Sequence, residues 1–171
     1  MSLFKPHPPI GEATAWRRVL FHAVGGLTEL GFSADESLLL VVSHAGRGLF
    51  DLSTGLRGAR DDEAPNPASN WIDREQRRVR GIGPAQGEWF SVVGLWGGAL
   101  AKTDQGEWLV EVVGKGSSEL ALVGLRHERT RWLVDKPITE TKAFGFSPSG
   151  RYLVLGMSAD VTVFAKASGA A

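Results

Sequence analysis

An internal repeat constrains the fold of this chain more than any other feature of the sequence. Residues 31–55 align without a gap with residues 145–169, at a constant offset of 114. Seven of the 25 aligned pairs are identical, whereas the residue frequencies of ordinary proteins would give about one or two. Each copy has short apolar runs bounded by turn residues at regular distances, which predicts a meander of three antiparallel strands.

The strands of both copies are predicted from the same signals. Leu38–Val42 and Tyr152–Leu155 are continuously apolar, which indicates strands covered on both faces. Ser147–Gly150 has proline and glycine at the positions that a type I turn prefers. Residues 15–24 allow two interpretations. The spacing of their apolar side chains indicates a helix, but at the same offset of 114 the segment aligns with a predicted strand at 133–134. We favour the strand there.

The middle of the chain gives weaker signals. The sequence Gln-Gly-Glu-Trp opens strand-like runs at Trp89–Val93 and Trp108–Val113, and further strands are predicted at 119–125 and 130–134. The segment 61–70 has charges, prolines and small polar residues, which favours a surface loop. We therefore expect a single domain, residues 1–171, divided into a first blade at 10–60, an irregular loop at 61–80, a central sheet at 81–135 and a last blade at 136–169.

Composition excludes several classes of function. Lysine plus arginine, 19, balance aspartate plus glutamate, 19, so no overall field attracts nucleic acid or anionic lipid. The absence of cysteine excludes disulfides, thiolate zinc sites and a cysteine nucleophile, and is typical of a reducing compartment. No apolar run approaches the roughly 20 residues that cross a bilayer, and Lys5 and Pro6 interrupt any signal peptide. We expect a cytoplasmic protein with no cofactor and no membrane partner.

The first copy resembles a known repeat. His22 precedes a predicted strand that ends in Phe32-Ser33, a turn follows, and a later strand ends in Phe50-Asp51 before Thr54-Gly55. This order resembles one blade of a WD-repeat β-propeller, with His22 in the histidine position and Phe50-Asp51 in the Trp-Asp position. The second copy keeps the Phe-Ser and the later phenylalanine at 146–147 and 164. The resemblance identifies two degenerate blades, at 16–55 and 130–169, and implies an all-β fold of WD-like antiparallel β-meander blades forming a small or incomplete β-propeller.

The sequence also departs from the family pattern. Ala165 stands in place of the aspartate and Lys136 in place of the histidine, while Gly46 occupies the turn position. The resemblance therefore implies only part of the family's hydrogen-bonded network, through His22 and Ser43. About three blades fit this length, and a closed propeller needs at least about four. Three arrangements would resolve this: a degenerate fourth blade at 117–135, a partial ring closed by a second chain, or blade-like sheets stacked as a sandwich. Open strand edges of an unclosed ring would recruit a partner or a second copy of the chain.

No residues combine into a recognised catalytic or metal motif. The four histidines lack His-Glu-x-x-His spacing, so we expect no metal site and interpret His22 as stabilising its blade. Ser147 lacks the second glycine of a nucleophile elbow. An enzyme with a dispersed hydrolase-type site, built from His44, Asp51 and His127, stays open as an alternative. A small bacterial immunity or inhibitor protein is a second alternative.

The candidate contact surface lies in the segment 61–80, the longest predicted irregular segment. Arginine and tryptophan are preferred anchors of protein interfaces. The same residue types bind phosphates and stack on bases, but the zero net charge makes nucleic acid an unexpected partner. The acidic and basic runs could also pair with each other. The sequence thus predicts a non-catalytic protein-binding or scaffold module, with candidate partner-binding residues Asp61, Asp62, Glu63, Trp71, Arg74, Arg77, Arg78 and Arg80.

Overall fold

The computed structural model describes residues 15–113, 119–125, 131–135 and 140–167, which form an all-β structure. The predicted fold class is confirmed. Within those ranges no helix has the length and apolar character needed to span a membrane. The strands are β1 (Trp16–Ala23), β2 (Leu27–Phe32), β3 (Leu38–Ser43), β4 (Gly46–Asp51), β5 (Leu56–Arg60), β6 (Ile72–Asp73), β7 (Arg78–Arg80), β8 (Trp89–Ser91), β9 (Val93–Gly94), β10 (Trp108–Val113), β11 (Glu119–Gly124), β12 (Arg131–Asp135), β13 (Thr141–Phe146), β14 (Tyr152–Met157) and β15 (Asp160–Lys166).

The two copies of the repeat have the same conformation. β2, β3 and β4 begin 114 residues before β13, β14 and β15, respectively. The first turn closes through a hydrogen bond from Glu36 N to Ser33 O at 2.9 Å, and the second through one from Gly150 N to Ser147 O at 2.8 Å. The predicted meanders are confirmed, and residues 16–23 form a strand, as favoured over a helix.

The sheets do not coincide with the predicted blades, because one strand of the predicted first blade lies in the sheet of the last blade. The strand orders are β1-β15-β14-β13, β5-β4-β3-β2-β9, β6-β7-β8 and β10-β11-β12. β1 lies in the predicted first blade at 10–60, but it pairs antiparallel with β15, from Trp16 opposite Lys166 to Ala23 opposite Asp160. The predicted blade boundary is therefore wrong, because the turn after β1 carries the chain from one sheet to the next.

The predicted central sheet at 81–135 is also wrong as a single unit. β8 pairs with β7, and β9 pairs with β2. Only β10, β11 and β12 form a sheet of their own. Repeated tryptophans at the start of β8 and β10 suggested neighbouring strands, but the long connection at 95–107 separates them.

The central strands of the two larger sheets are buried on both faces. Leu39 and Val41 of β3 lie in a core shared with the sheet of β14, whereas Leu40 and Val42 lie in a core shared with β6–β8. Alternating side chains of one strand thus enter two different cores, which explains the continuously apolar run. Full burial of each such side chain contributes about 1.5–3 kcal/mol.

In the part of the chain that the structure describes, three cores join the four sheets in one row. The outer sheet β10–β12 packs on the β1/β13–β15 sheet, this packs on the β2–β5/β9 sheet, and that packs on the other outer sheet, β6–β8. Among the described residues no core joins the two outer sheets, so the ring stays open. The arrangement is that of an incomplete β-propeller.

The segment 91–101 runs along the inner strands of the two larger sheets. β9 pairs with β2, and Ala101 forms a bridge with Phe146 of β13. A Cβ on Gly31 would lie 2.2 Å from Ser91 O, and one on Gly145 would lie 2.5 Å from Ala101 O. These two glycines are an identical pair of the repeat, and both permit the close approach of this segment.

A buried carboxylate connects the two repeated turns. Glu36 is 5% exposed, and its side chain accepts hydrogen bonds from Ser147 Oγ at 2.8 Å and from Ser149 N at 2.7 Å. Glu36 has a φ of 59°, a conformation that favours glycine, and Gly150 occupies the matching position in the second copy. The hydrogen bonds between the sheets offset this backbone strain.

Candidate functional site

The segment 61–80, predicted to be an irregular loop, contains β6 and β7. These strands pair with each other, and β7 also pairs with β8. Trp71, just before β6, is 2% exposed and lies in the core between this sheet and the β2–β5/β9 sheet. The prediction of Trp71 as an anchor for a partner is therefore wrong, because the core removes its indole from the surface.

The predicted acidic residues lie against arginines of the β2–β5/β9 sheet. Asp61 Oδ2 accepts a hydrogen bond from Arg47 Nε at 2.7 Å, and Asp61 Oδ1 accepts one from Arg47 N at 2.8 Å. Asp62 forms an ion pair with Arg60 at 2.6 Å. Glu63 lies 3.9 Å from the Arg47 guanidinium. The acidic run thus pairs with β4 and β5 rather than with the arginines of 74–80.

Arg47 joins the two sheets at this place. Its side chain is 8% exposed and stacks on the Trp71 indole, with 4.2 Å between the guanidinium carbon and the ring centroid. Arg47 Nη1 donates a hydrogen bond to Arg80 O at 2.8 Å. A buried charge with an aspartate partner and a carbonyl acceptor has a structural role, so this guanidinium is not presented to a partner.

The outer face of the β6–β8 sheet combines arginine with tryptophan. Val79 and Phe90 are buried towards the neighbouring sheet. Because side chains alternate along a strand, Arg78, Arg80 and Trp89 lie on the opposite face. The guanidinium carbons of Arg78 and Arg80 lie 4.5 Å and 4.6 Å from the Trp89 ring centroid. This cation–π geometry holds both guanidinium groups beside one aromatic surface.

The two stacked arginines differ in their charge partners. Arg78 Nε donates to Asp73 Oδ2 at 3.0 Å. Hydrogen bonds from Gln76 N and then from Arg78 lower the pKa of Asp73 below its usual value, against the opposing effect of desolvation. In the described part of the chain Arg80 has no carboxylate partner. Arg80 is exposed and therefore keeps its guanidinium donors for another molecule.

The turn between β6 and β7 continues this basic surface. Arg74 lies over the Trp96 ring, with 5.2 Å between the guanidinium carbon and the ring centroid. Arg77 has a φ of 48° and an exposed side chain. Residues 73–80 have four arginines against Asp73 and Glu75, which leaves a net charge of +2. We call the following set the arginine–tryptophan surface: Arg74, Arg77, Arg78, Arg80, Trp89 and Trp96.

Both tryptophans of the arginine–tryptophan surface were missed from the sequence. The sequence predicts Trp89 at the start of a strand of the central sheet and associates neither tryptophan with the arginines. The alternation Arg78-Val79-Arg80 was the available signal, because polar and apolar residues alternate in a strand with one solvated face. The pairing of that strand with Trp89 could not be read from the alternation.

The network implied for the first blade does not form. The His22 ring lies against Phe50, with 4.9 Å between centroids, while the Ser43 hydroxyl donates to Gly46 O at 3.2 Å. Asp51 instead closes its own turn, because its carboxyl accepts hydrogen bonds from the Ser53 hydroxyl and backbone. The same bonds lower the pKa of this carboxyl. Lys136, aligned with His22, lies outside the described residues.

His44 and Asp51, two of the three residues of the enzymatic alternative, do not come together. His44 precedes β4 and Asp51 ends it, so the six-residue strand separates them by about 20 Å. His127 lies outside the described residues. Asp61, Asp62 and Glu63, which could have bound a hard cation, are instead paired with arginines as described above, and in the described ranges no group of three histidine, aspartate or glutamate residues could hold a metal ion.

A buried glutamate lies on the inner strand β2. Glu29 is 0% exposed; its Oε1 accepts a hydrogen bond from Trp96 N at 2.9 Å, and its Oε2 has no hydrogen-bond partner. Desolvation raises the pKa of Glu29 to about 7, against the lowering effects of the backbone amides and of Arg74 and Lys142. The hydrogen bond from Trp96 N to Glu29 thus holds the segment that contains Trp96 against β2.

The chain is similar to a solved structure, the β-propeller domain of Cps50 (Swd1) from Myceliophteria thermophila. The TM-score is 0.31 and the sequence identity is 12%. The similarity covers 85% of this chain and 54% of that chain, so this chain spans about half the length of that domain. No protein-family model and no curated protein matches the sequence.

Proposed function

We propose that this chain is a non-catalytic protein-binding module that holds an acidic segment of a partner protein on the arginine–tryptophan surface. One observation carries the proposal: two guanidinium groups lie beside Trp89 on a solvent-facing sheet, and Arg80 has no carboxylate partner among the described residues. Arginine and tryptophan dominate the binding energy of protein interfaces. The resemblance to WD repeats adds the expectation of a scaffold role.

The geometry favours carboxylate groups as the contacts. A guanidinium group offers two parallel N–H donors that match the two oxygens of a carboxylate. Stacking on Trp89 restricts Arg78 and Arg80 before a partner arrives, so less side-chain entropy is lost on binding. A net charge of +2 over residues 73–80 suits a short acidic segment, whereas nucleic-acid binding usually involves a larger basic area.

The sheet edges formed by β1 and β5 are less suitable for a partner than this face. The edge strands β1 and β5 carry Arg17, Arg18, Arg57 and Arg60. Irregular register interrupts the pairing of both strands with their neighbours. Charged side chains and bulges of this kind protect a sheet edge from further pairing. Self-association through open edges stays a prediction, which the mass of the intact complex checks.

The experiment compares two matched double variants in complexes isolated from the native cell. Arg80→Gln with Trp89→Ala removes the proposed contact, and Arg18→Gln with Phe21→Ala removes an exposed arginine–aromatic pair on β1, where the guanidinium carbon lies 5.8 Å from the ring centroid. We expect a stoichiometric partner with the wild type and the control. The surface variant should bind it at least about 30-fold more weakly.

Two outcomes would contradict the proposal. If the surface variant retained the partner while circular dichroism showed both variants to be folded, the partner would not bind at this face. An intact mass that is a multiple of this chain alone would indicate self-association instead of a scaffold role. Acidic residues of the partner, located by cross-linking to the β6–β8 sheet, would identify the bound segment.

A further inference from the structure

A cleft lies away from the arginine–tryptophan surface, between the outer strands of the two larger sheets. It has a volume of about 270 Å³ and is bounded by the end of β1, by β4 and by β5. Val41 and Phe50 contribute an apolar floor, and His22 lies at its side against Phe50. Apolar floors with a few convergent polar groups are typical of small-molecule sites.

The rim of the cleft is basic. Its charged lining residues are Arg47, Arg57, Arg60 and Asp61, so three arginines against one aspartate leave a net charge of +2. Arg47 and Asp61 satisfy each other in the buried pair already described. The excess positive charge therefore belongs to the arginines of β5.

Arg57 and Arg60 are available to an anion. Arg57 is exposed and has no carboxylate partner in the ranges that the structure describes. Arg60 pairs with Asp62, but both side chains are largely exposed, at 52% and 77%, and such a surface pair is weak enough to be exchanged. Two guanidinium groups on one short strand match the two negative charges of a phosphate monoester.

His22 provides the connection between the charged rim and the apolar floor. Arg57 Nη1 lies 3.4 Å from His22 Nε2, and since a guanidinium group only donates, Nε2 acts as the acceptor. This long contact is weak, and a phosphate oxygen would give the guanidinium a stronger acceptor. Partial burial and then the charge of Arg57 lower the pKa of His22, so its neutral ring extends the surface offered by Phe50.

We propose that this cleft binds a small organic phosphate, with the phosphate group on Arg57 and Arg60 and an apolar or aromatic body against Val41 and the His22–Phe50 pair. The volume limits the ligand to about one ring with one phosphate group. The cleft and the arginine–tryptophan surface share no residue, so this site is independent of the partner-binding proposal.

The test is calorimetric titration with phenyl phosphate, and with inorganic phosphate as a second probe. We expect saturable binding of phenyl phosphate that is at least about tenfold tighter than binding of inorganic phosphate, because only the ester reaches the apolar floor. Arg57→Gln should weaken phenyl phosphate binding at least about tenfold. The matched control Arg17→Gln removes the same charge from an exposed position of β1 outside the cleft and should change the affinity less than about twofold.

Three results would overturn the proposal. They are no saturable binding of phenyl phosphate, equal affinity for the two probes, and equal losses in the Arg57 and Arg17 variants, since equal losses would indicate a diffuse charge effect. Arg57 is exposed, so the variant should keep the wild-type thermal midpoint. A second variant, Val41→Met, fills the floor and should weaken the ester while leaving inorganic phosphate unchanged.

Discussion

Replacing Glu29 by glutamine should remove a pH dependence of stability that arises on the inner strand β2. The carboxyl group is fully buried, and only its Oε1 has a hydrogen-bond partner, the Trp96 amide. Glutamine keeps the size of the side chain and an oxygen that can accept from this amide. The substitution therefore isolates the effect of the charge on Oε2, which has no donor to stabilise it.

The magnitude follows from the two pKa values. Burial raises the pKa of Glu29 from 4.5 to about 7, and the difference corresponds to about 3 kcal/mol. Between these values the folded protein keeps a proton that the unfolded chain has released. The free energy of unfolding therefore decreases as the pH rises from about 4.5 to about 7, and this contribution is constant at higher pH.

The assay is urea unfolding followed by tryptophan fluorescence, for both proteins, at several pH values from about 5 to about 8. The stability of the wild type relative to Glu29→Gln should fall by about 2–3 kcal/mol across this range. Taking the difference cancels the titration of other carboxyl groups. Glu75→Gln, at an exposed position, serves as the control and should show a nearly constant difference. A constant difference for Glu29→Gln as well, or one that rises with pH, would refute the reasoning.

Two further substitutions test the packing of the repeat. Gly145 has a φ of 148°, and a Cβ there would lie 2.5 Å from Ala101 O, so Gly145→Ala should lower the free energy of unfolding by more than about 1 kcal/mol. Gly25→Ala is its control, since no atom lies within 4 Å of the new Cβ, and equal thermal midpoints for the two would contradict the argument. Glu36→Ala removes the hydrogen bonds to the second turn and should cost about 2 kcal/mol in chemical unfolding. Alanine keeps the Cβ and therefore the backbone strain at φ 59°, so an unchanged midpoint would contradict a stabilising role for these hydrogen bonds.

The sequence predicts the strands of the repeat well because local signals and the core agree there. The runs at Leu38–Val42 and Tyr152–Leu155 are apolar at every position, and the structure places alternate side chains of each run in two separate cores. A continuously apolar run of this length indicates a central strand, so the type of the element and its position in the sheet both follow from the residues themselves. The short turns between these runs then predict that consecutive strands of each copy pair with each other.

Pairing between distant segments could not be predicted in this way. β1 has the pattern of a strand, but nothing in residues 16–23 specifies β15 as its neighbour. Trp71 follows a polar, proline-containing stretch, which favours exposure, but it is buried in the core between two sheets, with Arg47 stacked on its indole. Both errors concern contacts across more than 20 positions of the chain, where local periodicity contains no information.

The arginines show why the candidate sites depended on the fold. Arg47 is buried against an aspartate and an indole, Arg80 stacks on Trp89 at an exposed face, and Arg57 lies on an edge strand beside a cleft. The guanidinium group of Arg47 therefore has a structural role, because it is desolvated and its donors are bound to a fixed aspartate. Arg80 and Arg57 are exposed and have no carboxylate partner among the described residues, so their donors stay available for binding. Composition could identify arginine as the relevant residue type in this chain. The strand pairing alone separates the guanidinium groups that hold the sheets together from those left for a partner or a ligand.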